Sequence, residues 1–549
     1  MKLNKNYLQT FIFVLVYLFA IYFWSQPYQE RRIPYGEYDA MSHFELADYM
    51  AYNDKSFSQL PPYIDIRYGP DNKFKPHTLW YPPTFHASLG VMEVIGGERV
   101  LPVYLMNTMM VTFIIISVYF VINSLFGFLP AILSAVLLIF SPRDFMPYLW
   151  GQWPERFGYT FIPLILYCFY KYFVSYSKGE SKPIYLYLTA ALAGINLLVH
   201  PLTFFHSAAA VAVLYIFLSI KQKKLIFNWK HASISLIIFL IIFFSFPYQT
   251  FNILPQLGTI RTASGTMIKD NKQFSFGRIF QWSLDPKDYE GSVPASYFSF
   301  REMDGLWTLP FLLLGIAILC WRREERDLLM IAWLVSLYLV LHRDIIGQAS
   351  FLHRSLSATA HIFVPLTAIG AVYLSSIIKI PENFNLYLKY ALVAIFLYLT
   401  LFVAAPYARQ YLNKDIYNPN SINGKLSYDF LKILTQPQFD AAQWILENVP
   451  DEYNLSVLGI PHEPNFLPAT AYKIRWSMAV SQHVSRFYYL LDDRDNFTKV
   501  NYVMLDYTMV GPTGDEKLFN SMQSFEKNMT GHELVYDKNR IRIYKPNGI

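Results

Sequence analysis

The strongest constraint on this chain is a series of eleven apolar runs that carry almost no charge: Leu8–Trp24, Val100–Ile122, Phe126–Phe140, Phe157–Phe173, Ile184–Val199, Leu202–Ile220, Ala232–Phe246, Leu306–Trp321, Leu328–Leu341, Leu356–Ile378 and Tyr390–Ala405. In hydrocarbon every backbone N–H and C=O must be paired within the protein, and an α-helix of about 20 residues does this across one bilayer. The runs predict a polytopic α-helical membrane protein with about 11 transmembrane helices. Composition agrees: 54% of the 549 residues are hydrophobic and 16% charged, against about 25% charged in a soluble domain, and the mean hydropathy is +0.23. Disordered, collagen-like and ordinary cytosolic classes are excluded.

Charge sets the expected topology. Lys2 and Lys5 precede the first run, and Ser25-Gln26-Pro27-Tyr28 follows it in place of a small-residue cleavage site, which reads as an uncleaved signal anchor. Lys and Arg gather in cytoplasmic loops. With the N-terminus inside, the basic groups Lys171/Lys178/Lys182, Lys221/Lys223/Lys224/Lys230, Arg322/Arg323/Arg326 and Lys379 all fall inside. The odd number of spans then places the C-terminal region outside, with the loops Gln26–Arg99, Pro142–Pro154, Gln249–Gly305 and His342–Ser355.

The expected organisation is a transmembrane domain over 1–406 (outer loops about 26–99 and 249–305), a linker over 407–435 and an extracytoplasmic α/β domain over 436–549, multi-pass in the plasma membrane. In that last part FDAAQWILENVP has helical period, while NLSVLGI, YKIRWSM, NYVMLDYTMV and HELVYDKNRIRIYKP read as strands. Cys168 and Cys320 both sit in apolar runs, so no disulfide framework is available. The net charge of +6 is spread along the chain without a basic stripe interleaved with aromatics, which argues against a nucleic-acid partner.

Polar side chains collect on one side of this topology. Asp39, His43, His86, Asp144, Glu155, Arg156, His200, Arg343, Asp344, His353 and Arg354 map to outer loops or outer ends of spans. A charge at mid-bilayer costs about 2.5–3.5 kcal/mol even on a lenient scale, so such groups call for a reason. In YGEYDAMSHFELADYMAY a helix puts Asp39 and His43 one turn apart, where they can share a proton or hold a hydroxyl; on these residues alone an ordinary amphipathic surface helix with solvated acids is the favoured alternative. WYPPTFH starts a helix at its prolines with His86 in the first turn, or is a plain aromatic belt.

In SPRDFMPYLWGQWPERFG, Glu155 suits a helix N-terminus and Arg156 does not, so Arg156 wants an anionic partner: a ligand phosphate, or Glu155 or Asp144. His200-Pro201 closes one span and opens the next, where a structural histidine is the bland alternative. Arg354 can grip a phosphate or anchor in the interface. A zinc site on His43, His77, His86, Asp39 and Glu155 lacks any established ligand spacing; a divalent cation on Asp39 and Asp144 stays open. No Walker loop, GxGxxG or GxSxG is present.

The order of these features resembles the GT-C superfamily of integral membrane glycosyltransferases: a first span, an acid in the first outer loop (Asp39), a YPP-plus-His helix start, a second acidic outer loop (Asp144, Glu155), a His-Pro between spans and a C-terminal α/β domain. The resemblance implies inverting transfer of a sugar from a polyprenyl-phosphate-linked donor, on the outer face, to a glycan, lipid or protein acceptor. It implies Asp39 as base or ion ligand and Asp144 or Glu155 as the second acidic position. Arg156 and Arg354 would face the donor phosphate, and His43, His86 and His200 would line the cavity. A WWDYG segment is missing, which argues against a sequon-recognising oligosaccharyltransferase, and Asp39 follows Tyr38 without the Asp-Glu pair of protein mannosyltransferases. The competing readings are a transporter or flippase of lipid-linked or polar solutes, with polar residues on broken helices, and a non-catalytic membrane-anchored surface protein.

Overall fold

The computed structural model describes residues 5–36, 38–52, 84–149, 151–246, 300–341, 356–377, 382–413, 434–450, 455–459, 480, 485–489, 501–509, 516–527, 529–545 and 547. The chain is mostly helical. In order, the helices are α1 (Lys5–Trp24), α2 (Gln26–Arg31), α3 (Tyr38–Tyr52), α4 (Thr84–Gly96), α5 (Leu101–Phe126), α6 (Phe128–Ile139), α7 (Pro142–Leu149), α8 (Trp153–Tyr159), α9 (Phe161–Ser177), α10 (Ile184–Val199), α11 (Pro201–Gln222) and α12 (Trp229–Phe243). There follow α13 (Phe300–Met303), α14 (Leu309–Arg322), α15 (Glu325–Leu341), α16 (Leu356–Ile377), α17 (Glu382–Leu399), α18 (Ala405–Asn413), α19 (Gln436–Asn448) and α20 (Glu516–Lys527).

Every one of the eleven apolar runs falls mainly on helix. Length and composition, however, qualify six stretches as membrane spans among the described residues: Asn6–Trp24, Leu101–Phe126, Trp153–Ser177, Pro201–Gln222, Leu356–Ser375 and Phe384–Arg409. The pair α6 and α7, bent by 42°, would make a seventh. Helices such as Ile184–Val199 and Trp229–Phe243 are shorter than an upright crossing needs, and hydropathy alone cannot separate a short span from a helix buried in protein.

The chain divides into two compact units. The first comprises 1–26, 105–148 and 152–413; the second comprises 27–104, 149–151 and 414–549. In the first unit α16 is the central helix, packed against α14, α6, α15 and α17, and nearly all of its apolar window is buried. Its crossing with α14 is glycine to glycine: a Cβ on Gly370 would strike the Phe311 carbonyl, and one on Gly315 the Leu366 carbonyl. Pro365 inside α16 cannot donate to the carbonyl four residues back, that of His361, and so loosens the helix at that residue.

In the second unit α3 and α4 pack together and run in the same direction, as the pairings His43 with His86 and Ala47 with Gly90 show. A five-stranded sheet has the order β2-β1-β3-β5-β4, with β1 (Leu455–Gly459), β2 (Ser485–Tyr489), β3 (Tyr502–Asp506), β4 (Glu533–Lys538) and β5 (Ile541–Lys545). β1 is parallel to β2 and β3, whereas β5 is antiparallel to β3 and β4. β3 is buried along its whole length because helices cover both faces: Tyr502 and Met504 join Ala441 and Ile445 of α19, while Val503 and Leu505 join Met522 of α20. The β4–β5 hairpin turns on Asn539 and Arg540, both at positive φ, the backbone a tight two-residue hairpin requires. β2 was not foreseen from the sequence, and YKIRWSM, expected as a strand, lies outside the described residues.

Candidate active site

In the first unit the site is built where α7 and α8 meet α16. Pro154 stands in the first turn of α8, whose N-terminal N–H groups need no helical acceptor, and this brings Glu155 and Arg156 into a buried turn. Arg156 is fully buried. Its Nη1 donates to Asp144 Oδ1 at 2.5 Å and to Ser357 Oγ at 3.2 Å, Nη2 reaches the Val111 carbonyl at 3.4 Å, and the guanidinium lies 4.6 Å from the Trp24 ring. His361 Nε2 shares the same Asp144 oxygen at 2.8 Å. Asp144 Oδ2 has no hydrogen-bond partner among the described residues. One carboxylate oxygen is thus saturated by two donors while the other keeps its lone pairs.

A second group lies on α8, α10 and α11. Residues before proline avoid the helical region, and His200 accordingly has φ −158° and ψ 119°, which ends α10 and lets Pro201 open α11. His200 Nε2 is 4.0 Å from Glu155 Oε2, and the Tyr159 hydroxyl donates to Glu155 Oε1 at 3.0 Å. The Tyr159 ring meets His206 and His361 edge-on, each at 5.6 Å between centroids. Tyr159 therefore stands between the Glu155 group and the Asp144 group.

The second unit holds His43 and His86. His43 Nδ1 and His86 Nε2 are 2.8 Å apart and buried, one nitrogen donating to the other. One turn and more beyond His43 on α3, Asp48 takes both arms of Arg99: Nε to Oδ1 at 2.5 Å and Nη2 to Oδ2 at 2.6 Å. Glu93 of α4 is buried next to this pair; burial, reinforced by the Asp48 charge, pushes its carboxyl up to about 10, so it is neutral at pH 7.

Of the residues expected at the site, Asp144 and Arg156 are brought together, Glu155 and His200 are brought together, and so are His43 and His86. Asp39 lies in the first turn of α3, but its side chain is outside the described residues, as is the whole of Arg354. Arg156 finds its anionic partner within the protein, in Asp144. For a divalent cation the Asp144 position is poor, because the guanidinium already neutralises that carboxylate and would repel a second positive charge. Among the described residues no three His, Cys, Asp or Glu side chains are grouped as metal ligands.

His361, Tyr159, Ser357 and Trp24 were not expected here, nor were Asp48, Glu93 and Arg99. His361 carried a legible signal: an ionisable side chain inside an apolar run is itself a functional pointer. The others carried none.

Comparison with known proteins gives three kinds of result. No curated protein sequence matches the chain. Several solved structures share its fold. ArnT from Cupriavidus metallidurans, bound to undecaprenyl phosphate, is 12% identical, with 97% of each chain covered and a TM-score of 0.53. The oligosaccharyltransferase of Archaeoglobus fulgidus in the apo form is 13% identical over 95% of this chain and 72% of that one, with a TM-score of 0.58. The arabinofuranosyltransferase AftD from Mycobacteria is 12% identical over all of this chain and 40% of its own, with a TM-score of 0.51. All are GT-C glycosyltransferases, so the fold that the sequence resemblance implied is the fold observed. The model of a family of unknown function, DUF6541, matches residues 7–452, well over half of the sequence, and the chain belongs to that family.

Proposed function

We propose that this protein is a membrane glycosyltransferase that moves a sugar from a polyprenyl-phosphate-linked donor to an acceptor on the outer face of the membrane, with inversion. The observation that carries the reading is the end-to-end likeness of fold to ArnT, whose structure holds undecaprenyl phosphate. In the step, the acceptor hydroxyl gives its proton to Asp39 and its oxygen bonds to the anomeric carbon. The carbon–oxygen bond to the phosphate breaks, and its electron pair leaves on the polyprenyl phosphate.

Asp39 is the proposed base, and His43, braced by His86, stands one turn away on α3 to hold the acceptor. Arg354 is proposed for the donor phosphate. Arg156 acts indirectly by holding Asp144, whose unused oxygen can accept a sugar hydroxyl, while Glu155 with His200 forms the second acidic position. The domain over 436–549 is proposed to lie outside the membrane on the same side.

The test is transfer of label by the purified protein in lipid, given radiolabelled polyprenyl-phosphate sugars and an acceptor mixture. Asp39→Asn is expected to lower turnover about 10²–10⁴-fold with the fold intact; full activity would remove Asp39 from the mechanism. Loss of transfer in EDTA, restored by Mg²⁺ or Mn²⁺, would assign Asp39 to an assisting cation, and EDTA-insensitive transfer would assign it as base. The break between α6 and α7, close to Asp144, is the feature that favours a flippase among the described residues. Translocation of the labelled lipid without transfer would establish that second reading.

A further inference from the structure

We propose that Arg99 is a positioning residue: it clasps the helix bearing Asp39 and His43 to α19 and to Val480, and so fixes where α3 sits. The inference deepens the proposed function and rests on it only for the role of Asp39.

Arg99 commits all three of its guanidinium nitrogens. Besides the two bonds to Asp48, Nη2 donates to the Val480 carbonyl at 2.6 Å and Nη1 donates to Gln443 Oε1 at 2.9 Å. The guanidinium is planar and rigid, so a bidentate grip on Asp48 dictates the directions of the remaining donors. One side chain thereby relates α3 to α19, through Gln443, and to Val480. Gln443 is itself braced, its Nε2 donating to Glu447 Oε1 at 2.9 Å.

The grip reaches the far end of α3 because α3 moves with α4 as a body. His43 and His86 join them near one end, and Gly90 lets the helices close until a Cβ there would lie 2.9 Å from the Ala47 carbonyl. Asp39 is nine residues from Asp48, about 13 Å along the helix axis. A tilt at Asp48 therefore displaces Asp39. Stability is a weak reason for such a buried pair, since well-packed apolar side chains serve it as well. Geometry is a better one.

The experiment uses the full chain in lipid nanodiscs, with Gln443→Leu, Arg99→Lys and Arg99→Met. Hydrogen exchange of residues 38–52 is followed, with 161–177 as internal reference. Gln443→Leu leaves the Arg99–Asp48 pair intact and is expected to speed exchange of 38–52 about tenfold without touching the reference; it carries the test if Arg99→Met does not fold. Arg99→Lys, a point charge on a flexible stem, should fail to rescue. In the transfer assay kcat should fall about 10–100-fold with the donor KM unchanged. Unchanged exchange in both Gln443→Leu and Arg99→Met overturns the clasp. Faster exchange with undiminished kcat overturns the positioning role. A wild type that transfers nothing fails the functional reading alone, and the exchange data still decide the clasp.

Discussion

Two buried aspartate–arginine pairs, one in each unit, are made from the same two residue types and differ in how the carboxylate is used. Asp48 gives one bond from each of its two oxygens to Arg99, in a two-point grip that fixes the carboxylate's orientation. Asp144 gives one oxygen to both Arg156 and His361 and leaves the other without a partner among the described residues. A two-point grip fixes geometry, whereas a carboxylate held through one oxygen in a buried polar group has bonding left to offer. The arginines differ too: Arg156 is closed off entirely, while the Arg99 side chain is 11% exposed.

The sharpest break in this comparison comes from removing the arginines. Arg156→Met leaves the Asp144 charge buried with only His361 beside it and is expected to cost about 3–5 kcal/mol, read from thermal unfolding in detergent, with Asp144→Leu in the same chain recovering most of it. Arg99→Met should cost less, since water can reach what it vacates; equal losses would erase the distinction.

Next in size is Glu93. Its carboxyl ionises near 4.5 in the unfolded chain and near 10 in the fold, facing Asp48, Glu98 and Arg99, so the folded state holds the extra proton between those values. Stability from this group is complete below about 4.5 and is lost as pH rises toward 10. Glu93→Gln, which stays neutral, should therefore raise the unfolding temperature most at alkaline pH and least near pH 4.5. Parallel pH–stability curves for variant and wild type would contradict this. The smallest effect expected is from Tyr159→Phe, which removes the donor to Glu155 and should cost about 1 kcal/mol of stability. If Tyr159 also joins the two acidic groups functionally, the pH profile of transfer shifts with it; an unmoved profile would leave Tyr159 a packing residue.

Much of the architecture was readable in advance where local chemistry decides. His200-Pro201 marked a helix boundary because proline restricts the residue before it, and α10 does end there. FDAAQWILENVP forms α19, whose start is fixed by the Thr435–Gln438 capping box. The hairpin of β4 and β5 follows from the alternation in ELVYDKNRIRIYKP. The number of crossings was harder to read, because an apolar run of 12 to 17 residues satisfies a protein interior as well as a bilayer. The candidate site was half legible. Asp144, Glu155, Arg156 and His200 were singled out by charge near an apolar run, yet nothing local joined Asp144 to His361, 217 positions away, or Arg99 to Gln443, 344 away.

The sequence by itself determined a helical membrane protein with its ionisable groups near helix ends, because backbone polar groups must be paired in hydrocarbon and charges avoid it. Only the tertiary structure decided which acid meets which base. That choice depends on glycine-permitted helix crossings and on a proline-loosened central helix, which bring together side chains that no spacing along the chain connects.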